Sequence, residues 1–241
     1  MHNPIIVALD VPKAKEALEL AKELGPVVGA FKIGKQLFVS EGPEVVRKLK
    51  ETGGKIFLDL KFHDIPNTVA KAVQSAIDMG VDMLTVHTSG GSEMLSAAEN
   101  ASNEKAAKLG IASPLILGVT VLTSMDDNNL AELGIQEGTK RQVVRLAKLA
   151  AASGLRGLVC SPQEIKFLRE ELGSDIDLVT PGIRFDASPS DDQKRTMSPS
   201  EAVKAGASWL VIGRPITLAE NPRSAAIDIL NSIDSEIVPS K

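Results

Sequence analysis

The run Asp59-Leu60-Lys61-Phe62-His63-Asp64-Ile65-Pro66-Asn67-Thr68 brings two carboxylates and an amine within six residues. Side chains at i and i+2 of a strand share a face, so Asp59 and Lys61 are expected to point the same way. Phe57, Leu58, Leu60 and Phe62 surround them and predict a packed element in which solvation is poor. Asp64 follows just past the expected strand end. Charges placed like this form either a costly structural ion pair or a catalytic constellation.

The elements that must position these groups are legible as alternating patterns. Short β-rich apolar runs predict strands at 5–10, 29–34, 55–61, 83–87, 115–121, 157–161, 178–180 and 209–213. Amphipathic stretches predict helices at 14–24, 44–51, 69–79, 92–108, 141–152, 162–172, 200–205 and 223–233. Pro162 after Ser161 and Pro199 after Ser198 read as helix starts. Gly25, Gly80, Gly110, Gly154, Gly173 and Gly206 fall where left-handed helix caps are expected. Eight strand–helix units in 241 residues match the count and size of an α/β fold closed as a (β/α)8 barrel, and no linker divides the chain into further domains. An open doubly wound sheet is the alternative. It usually carries a glycine-rich turn after its first strand, where this chain has Asp10-Val11-Pro12.

In a barrel, catalytic groups gather at the C-terminal ends of the strands. Asp10, Lys32, Asp59 and Lys61 come from three adjacent strands and are expected to converge at one mouth, with alternating charges that neutralise one another. A charge-balancing network without chemistry is the competing account. Across the mouth, Gly182 with Arg184 and Gly213 with Arg214 follow strands seven and eight, where barrels build phosphate sites. The polar segment 184–198, RFDASPSDDQKRTMS, has no periodicity and is long for a connection, as active-site lids and disordered inserts are, and its place after strand seven favours the lid. Other signals are discounted. The segment 29–36, GAFKIGKQ, nearly matches a phosphate loop, but Gln36 stands where Ser or Thr is required, and the segment reads as a strand. His63 and His87 lack metal-ligand spacing, and Cys160 reads as an inert core thiol.

Composition bounds the partners. The chain is 43% hydrophobic and 24% charged with a net charge of −4, and it shows no basic block that would predict nucleic-acid binding. No apolar run reaches membrane-spanning length. The single Cys160 and an N-terminus without a signal-peptide pattern predict a soluble cytoplasmic protein.

Seven ordered motifs carry a resemblance over nearly the whole chain: 7–10 (VALD), 31–34 (FKIG), the complete 59–68 run, 119–124 (VTVLTS), 181–184 (PGIR), 192–195 (DQKR) and 212–215 (IGRP). In these the sequence resembles the orotidine 5′-monophosphate decarboxylase family in its shorter bacterial form. The resemblance implies conversion of orotidine 5′-monophosphate to UMP and carbon dioxide, the final step of pyrimidine nucleotide synthesis, without metal or organic cofactor. Lys61 would protonate C6, Asp59 would lie beside the substrate carboxylate, and Lys32 would join the charged array and contact ribose. Asp10 would bind ribose hydroxyls. Asp64, Ile65 and Thr68 would belong to the site, Asp64 and Thr68 crossing a homodimer interface. Thr123 and Pro181 would line the substrate pocket, with Ser124 a neighbour of the base. Arg184, Gln193, Gly213 and Arg214 would hold phosphate. Metal-dependent relatives on the same scaffold share the Asp-x-Lys-x-x-Asp element but need an acidic ligand at the end of strand two, where this chain has Lys32. A non-catalytic nucleotide-binding barrel is the reading from another class, and it predicts loss of a charge that is here intact.

Overall fold

Ile6 stands opposite Ala30 of the second strand on one side and Val211 of the last strand on the other, so the sheet closes on itself. The computed structural model describes residues 3–184 and 196–237. Eight parallel strands, β1 (Ile5–Ala8), β2 (Ala30–Gly34), β3 (Lys55–Phe62), β4 (Met83–His87), β5 (Leu115–Val119), β6 (Gly157–Val159), β7 (Asp177–Thr180) and β8 (Trp209–Ile212), pair in chain order into a closed barrel. The expected (β/α)8 architecture is therefore the observed one, and the open-sheet alternative falls.

Alternation along each strand builds two cores. Ile6, Ala8, Ala30, Phe57, Met83, Leu117, Val179, Trp209 and Val211 fill the barrel interior. Their neighbours, such as Ile5, Val7, Phe31, Leu58, Leu84, Leu210 and Ile212, face the helical layer. Strands buried on both faces explain why each reads as an unbroken apolar run. Each fully buried Leu, Ile or Phe contributes roughly 1.5–3 kcal/mol relative to exposure. Trp209 is 7% exposed at the base of the interior, with the Lys55 ammonium 5.7 Å from its ring centroid.

The helices are α1 (Ala14–Leu24), α2 (Lys35–Glu41), α3 (Glu44–Lys50), α4 (Pro66–Asp78), α5 (Gly91–Leu109), α6 (Asp127–Glu132), α7 (Thr139–Ala152), α8 (Ile165–Leu172), α9 (Pro199–Ala205), α10 (Arg214–Thr217) and α11 (Pro222–Ile237). All eight expected helices are present. Three short ones, α2, α6 and α10, were not anticipated. Pro199 opens α9 behind a Ser198–Glu201 capping box, whereas Pro162 opens a 3-10 turn leading into α8. Among the expected glycine caps, Gly25 is right-handed (φ −47°), because the chain continues directly into a 3-10 turn at Gly25–Val27. Gly110 and Gly206 adopt the left-handed cap conformation. No helix of the described residues is long and apolar enough to cross a membrane.

Candidate active site

Two ion pairs sit side by side at the C-terminal mouth of the barrel. Lys32, on the interior face of β2, places Nζ 2.9 Å from Asp10 Oδ1, just beyond β1. Lys61, near the end of β3, places Nζ 2.7 Å from Asp59 Oδ1. Asp59 and Lys61 are 15% and 23% exposed, so that pair holds its charges where water is scarce, whereas in the first pair the Lys32 side chain is 11% exposed and Asp10 faces solvent at 60%. Gly34 leaves room for the first pair: a Cβ there would lie 3.1 Å from both Asp10 Oδ1 and Lys32 Nζ.

The second pair is not built on a regular pleat. Between Leu58 and Phe62 β3 advances four residues while β4 advances only from Leu84 to Val86, a bulge of the ladder. Lys61 has φ 55° and is the only non-glycine residue with positive φ among the described residues. Period-two alternation therefore predicted the right neighbours through the wrong backbone. Thr85 of β4, which no motif had marked, ties the bulge together. Its hydroxyl accepts the Lys61 amide N–H at 2.8 Å and donates to Asp59 Oδ1 at 3.0 Å. Burial alone would raise the Asp59 pKa. The charges of Lys61 and Lys32, with hydrogen bonds from Lys61 and Thr85, outweigh it and hold the carboxyl below its ordinary range.

The array opens into a cavity of about 550 Å³. Asp10, Lys32, Asp59, Lys61, Thr123, Pro181, Arg184, Gly213 and Arg214 all line it, so most of the expected site residues converge. Phe57 and Val159 form part of its apolar wall, and Leu122 and Leu218 reach its rim, none of them expected as a site residue from sequence. On the far side from the lysines, Gly182 has φ 84°, a conformation open to glycine at little cost. It leads into Ile183, which bridges Met197, while the Arg184 amide N–H donates to Met197 O at 3.0 Å. Arg184 is thereby fixed at the neck of the 184–198 segment, facing the cavity. Gln193 and most of that segment lie outside the described residues.

Other expected members stand apart. Asp64, Ile65 and Thr68 are exposed beyond the cavity, Ile65 at 67%, and Asp64 Oδ1 accepts the N–H of its neighbour Ile65. Ser124 is not part of the cavity wall. The His63 and His87 rings lie 5.6 Å apart. Burial, then the nearby His63, Lys61 and Lys35, lowers the pKa of His87. Among the described residues no group of three or more His, Cys, Asp or Glu is arranged to hold a metal ion. Cys160 is buried, and burial followed by the charge of Glu164 pushes its thiol up to about 12, which suits an inert core residue.

The sequence and the fold have relatives among known proteins. Residues 3–229 match the model of the orotidine 5′-phosphate decarboxylase / HUMPS family. An orotidine 5′-phosphate decarboxylase of Actinobacillus succinogenes is 49% identical over 237 residues, covering 98% of this chain and 99% of its own. One from Moorella thermoacetica is 50% identical over 237 residues, covering 97% and 94%. The crystal structure of orotidine 5′-phosphate decarboxylase from Lactobacillus acidophilus superposes with a TM-score of 0.85 at 39% identity, covering 96% of this chain and 99% of that one. On its sequence, its closed barrel and these relatives, the chain belongs to the orotidine 5′-phosphate decarboxylase / HUMPS family.

Proposed function

We propose that the chain decarboxylates orotidine 5′-monophosphate to UMP and carbon dioxide with its own side chains and no cofactor. The observation that carries this reading is the alternating array Asp10, Lys32, Asp59, Lys61, with a lysine on the interior face of β2. In the metal-dependent relatives that position needs an acidic ligand; a cation beside the Lys32 ammonium is disfavoured.

Cleaving the bond between C6 and the carboxylate leaves its electron pair on C6. The Lys61 ammonium, fixed before reaction by Asp59, stabilises that charge as it grows and then delivers the proton that completes UMP. Asp59, held ionised, stands beside the departing carboxylate. Two like charges about 4 Å apart at an effective dielectric of about 20 repel by roughly 4 kcal/mol. Enzymes supply roughly 8–23 kcal/mol, so ground-state repulsion is the smaller contribution and carbanion stabilisation the larger. Asp10 and Lys32 take the ribose, and Thr123 and Pro181 line the wall against the base. Arg184, Gly213 and Arg214 take the phosphate, with Gln193 assigned there on the family resemblance. Phosphate is remote from C6, so its binding energy is available to order the site.

The working form is proposed to be a cytoplasmic homodimer in which Asp64 and Thr68 of each subunit complete the partner's site. The exposure of Asp64, Ile65 and Thr68 outside their own cavity supports this arrangement.

The deciding experiment follows the ultraviolet absorbance of orotidine 5′-monophosphate with EDTA-treated protein. Conversion to UMP is expected. Activity only on a sugar phosphate with added Mg²⁺ would move the chain to the metal-dependent branch. UMP binding without turnover of either would make it a non-catalytic barrel.

A further inference from the structure

Thr85 is fully buried in the middle of β4, a strand whose sequence, Met83-Leu84-Thr85-Val86-His87, is otherwise apolar up to its last residue. A valine would fill the same volume without a hydroxyl to satisfy, and a buried hydroxyl is costly unless bonded. Here it is bonded twice, to the Lys61 amide N–H and to Asp59 Oδ1. That oxygen also takes the Lys61 ammonium, so hydroxyl, carboxylate, ammonium and amide form one closed ring of contacts around the bulge. The left-handed backbone at Lys61 is strained for any residue with a Cβ and persists only where its surroundings over-determine it. At this point the β3–β4 ladder is interrupted, and the Thr85 side chain supplies the Lys61 amide with an acceptor.

We propose that Thr85 is a positioning residue for decarboxylation: its hydroxyl locks the β3 bulge so that Lys61 and Asp59 present a fixed ammonium–carboxylate pair to the substrate. Thr85 does not line the cavity; it acts through the two residues it holds. The inference rests on the roles given to Lys61 and Asp59 under Proposed function. Losing the hydroxyl lets the ammonium leave its reactive position while the ribose and phosphate contacts stay, so turnover suffers and binding does not.

The test compares Thr85→Val, Thr85→Ser and Thr85→Cys with wild type and Lys61→Ala, measuring kcat, KM and UMP affinity. Thr85→Val is expected to lower kcat roughly 10- to 100-fold, the scale of a small misplacement of a reacting group. KM and UMP affinity should stay within about threefold, and Thr85→Ser, which keeps the hydroxyl, should restore most of kcat. Should Thr85→Val fail to fold, the other two decide: Ser close to wild type with Cys impaired supports the proposal, and the two equal to each other overturns it. A folded Thr85→Val with undiminished kcat, or a Ser variant as impaired as Val, also overturns it. In either case, turnover of orotidine 5′-monophosphate by wild type with an inactive Lys61→Ala leaves the proposed function standing. A fully active Lys61→Ala removes the role given to Lys61, and a wild type without turnover removes the decarboxylase reading itself.

Discussion

Lys61 Nζ meets Asp59 Oδ1 at 2.7 Å across only two residues of chain, and the backbone between them turns left-handed to allow it. A left-handed conformation costs an L-residue about 1–2 kcal/mol, so the site is built at some expense of stability. Lys61→Ala and Lys61→Gly should both lose turnover by about 10³-fold or more, as expected when a group stabilising developing charge is removed, while UMP affinity changes little. Glycine relieves the strain and alanine does not. Lys61→Gly should therefore melt about 2–4 °C above Lys61→Ala, and equal melting temperatures would show the strain to be absent.

Gly34 offers a cleaner test of the first ion pair. Its φ of −87° and ψ of 177° are open to any residue, so Gly34→Ala carries no left-handed backbone penalty. The added methyl carbon would lie 3.1 Å from Asp10 Oδ1 and from Lys32 Nζ and must push them by a few tenths of an ångström. A displacement on that scale is expected to raise KM for the nucleotide roughly three- to tenfold, with kcat changed less. Unaltered KM would place the Asp10–Lys32 pair outside the ribose contacts.

Glu99 on α5 carries a pH signature away from the site. It is 6% exposed, Oε2 has no hydrogen-bond partner among the described residues, and Asn103 and Arg156 both approach Oε1, the latter at 3.7 Å. Burial, offset in part by Arg156, raises its pKa above the ordinary 4.5. A raised carboxyl pKa favours the folded state while the group is protonated, and that contribution is lost as pH rises through the folded value. Glu99→Gln cannot ionise. Its melting temperature relative to wild type should thus increase from pH 4.5 to pH 8, by about 2–4 °C for a difference of about 1 kcal/mol. A difference independent of pH would mean that Glu99 does not titrate in this range.

Shared sites are tested by mixing subunits. Lys61→Ala and Asp64→Ala homodimers are each expected to be inactive. If Asp64 serves the partner's cavity, a heterodimer contains one site free of both substitutions. Random pairing of equal amounts makes half the dimers hetero, with one working site of two, and so recovers about one quarter of wild-type activity. No recovery after verified exchange would confine Asp64 to its own subunit.

The strands were legible because each is buried on both faces and bounded by glycine, proline or charge. The helices missed are those with little to show. Of α2, only Leu37 is buried, and of α10, only Ile216, so neither presents an apolar stripe long enough to register as a period. The convergence of Asp10, Lys32, Asp59 and Lys61 followed from barrel topology alone. The bulge at Lys61 did not, because nothing in a lysine announces positive φ. Thr85 stayed hidden for a related reason: in an apolar run a threonine reads as an ordinary β-branched strand residue, and its two polar partners lie 24 and 26 residues away in sequence.

Closure of the barrel through β8 has an optical consequence. Trp209 is the only tryptophan, the chain has no tyrosine, and it lies on the strand that must pair with both β7 and β1 to complete the cylinder. Its indole enters the apolar interior only when that last strand arrives. In a refolding chain, then, one intrinsic fluorophore times the moment at which Asp10 of the first unit and Arg214 of the last are brought to a common mouth. The birth of the reactive cavity can be watched without a label.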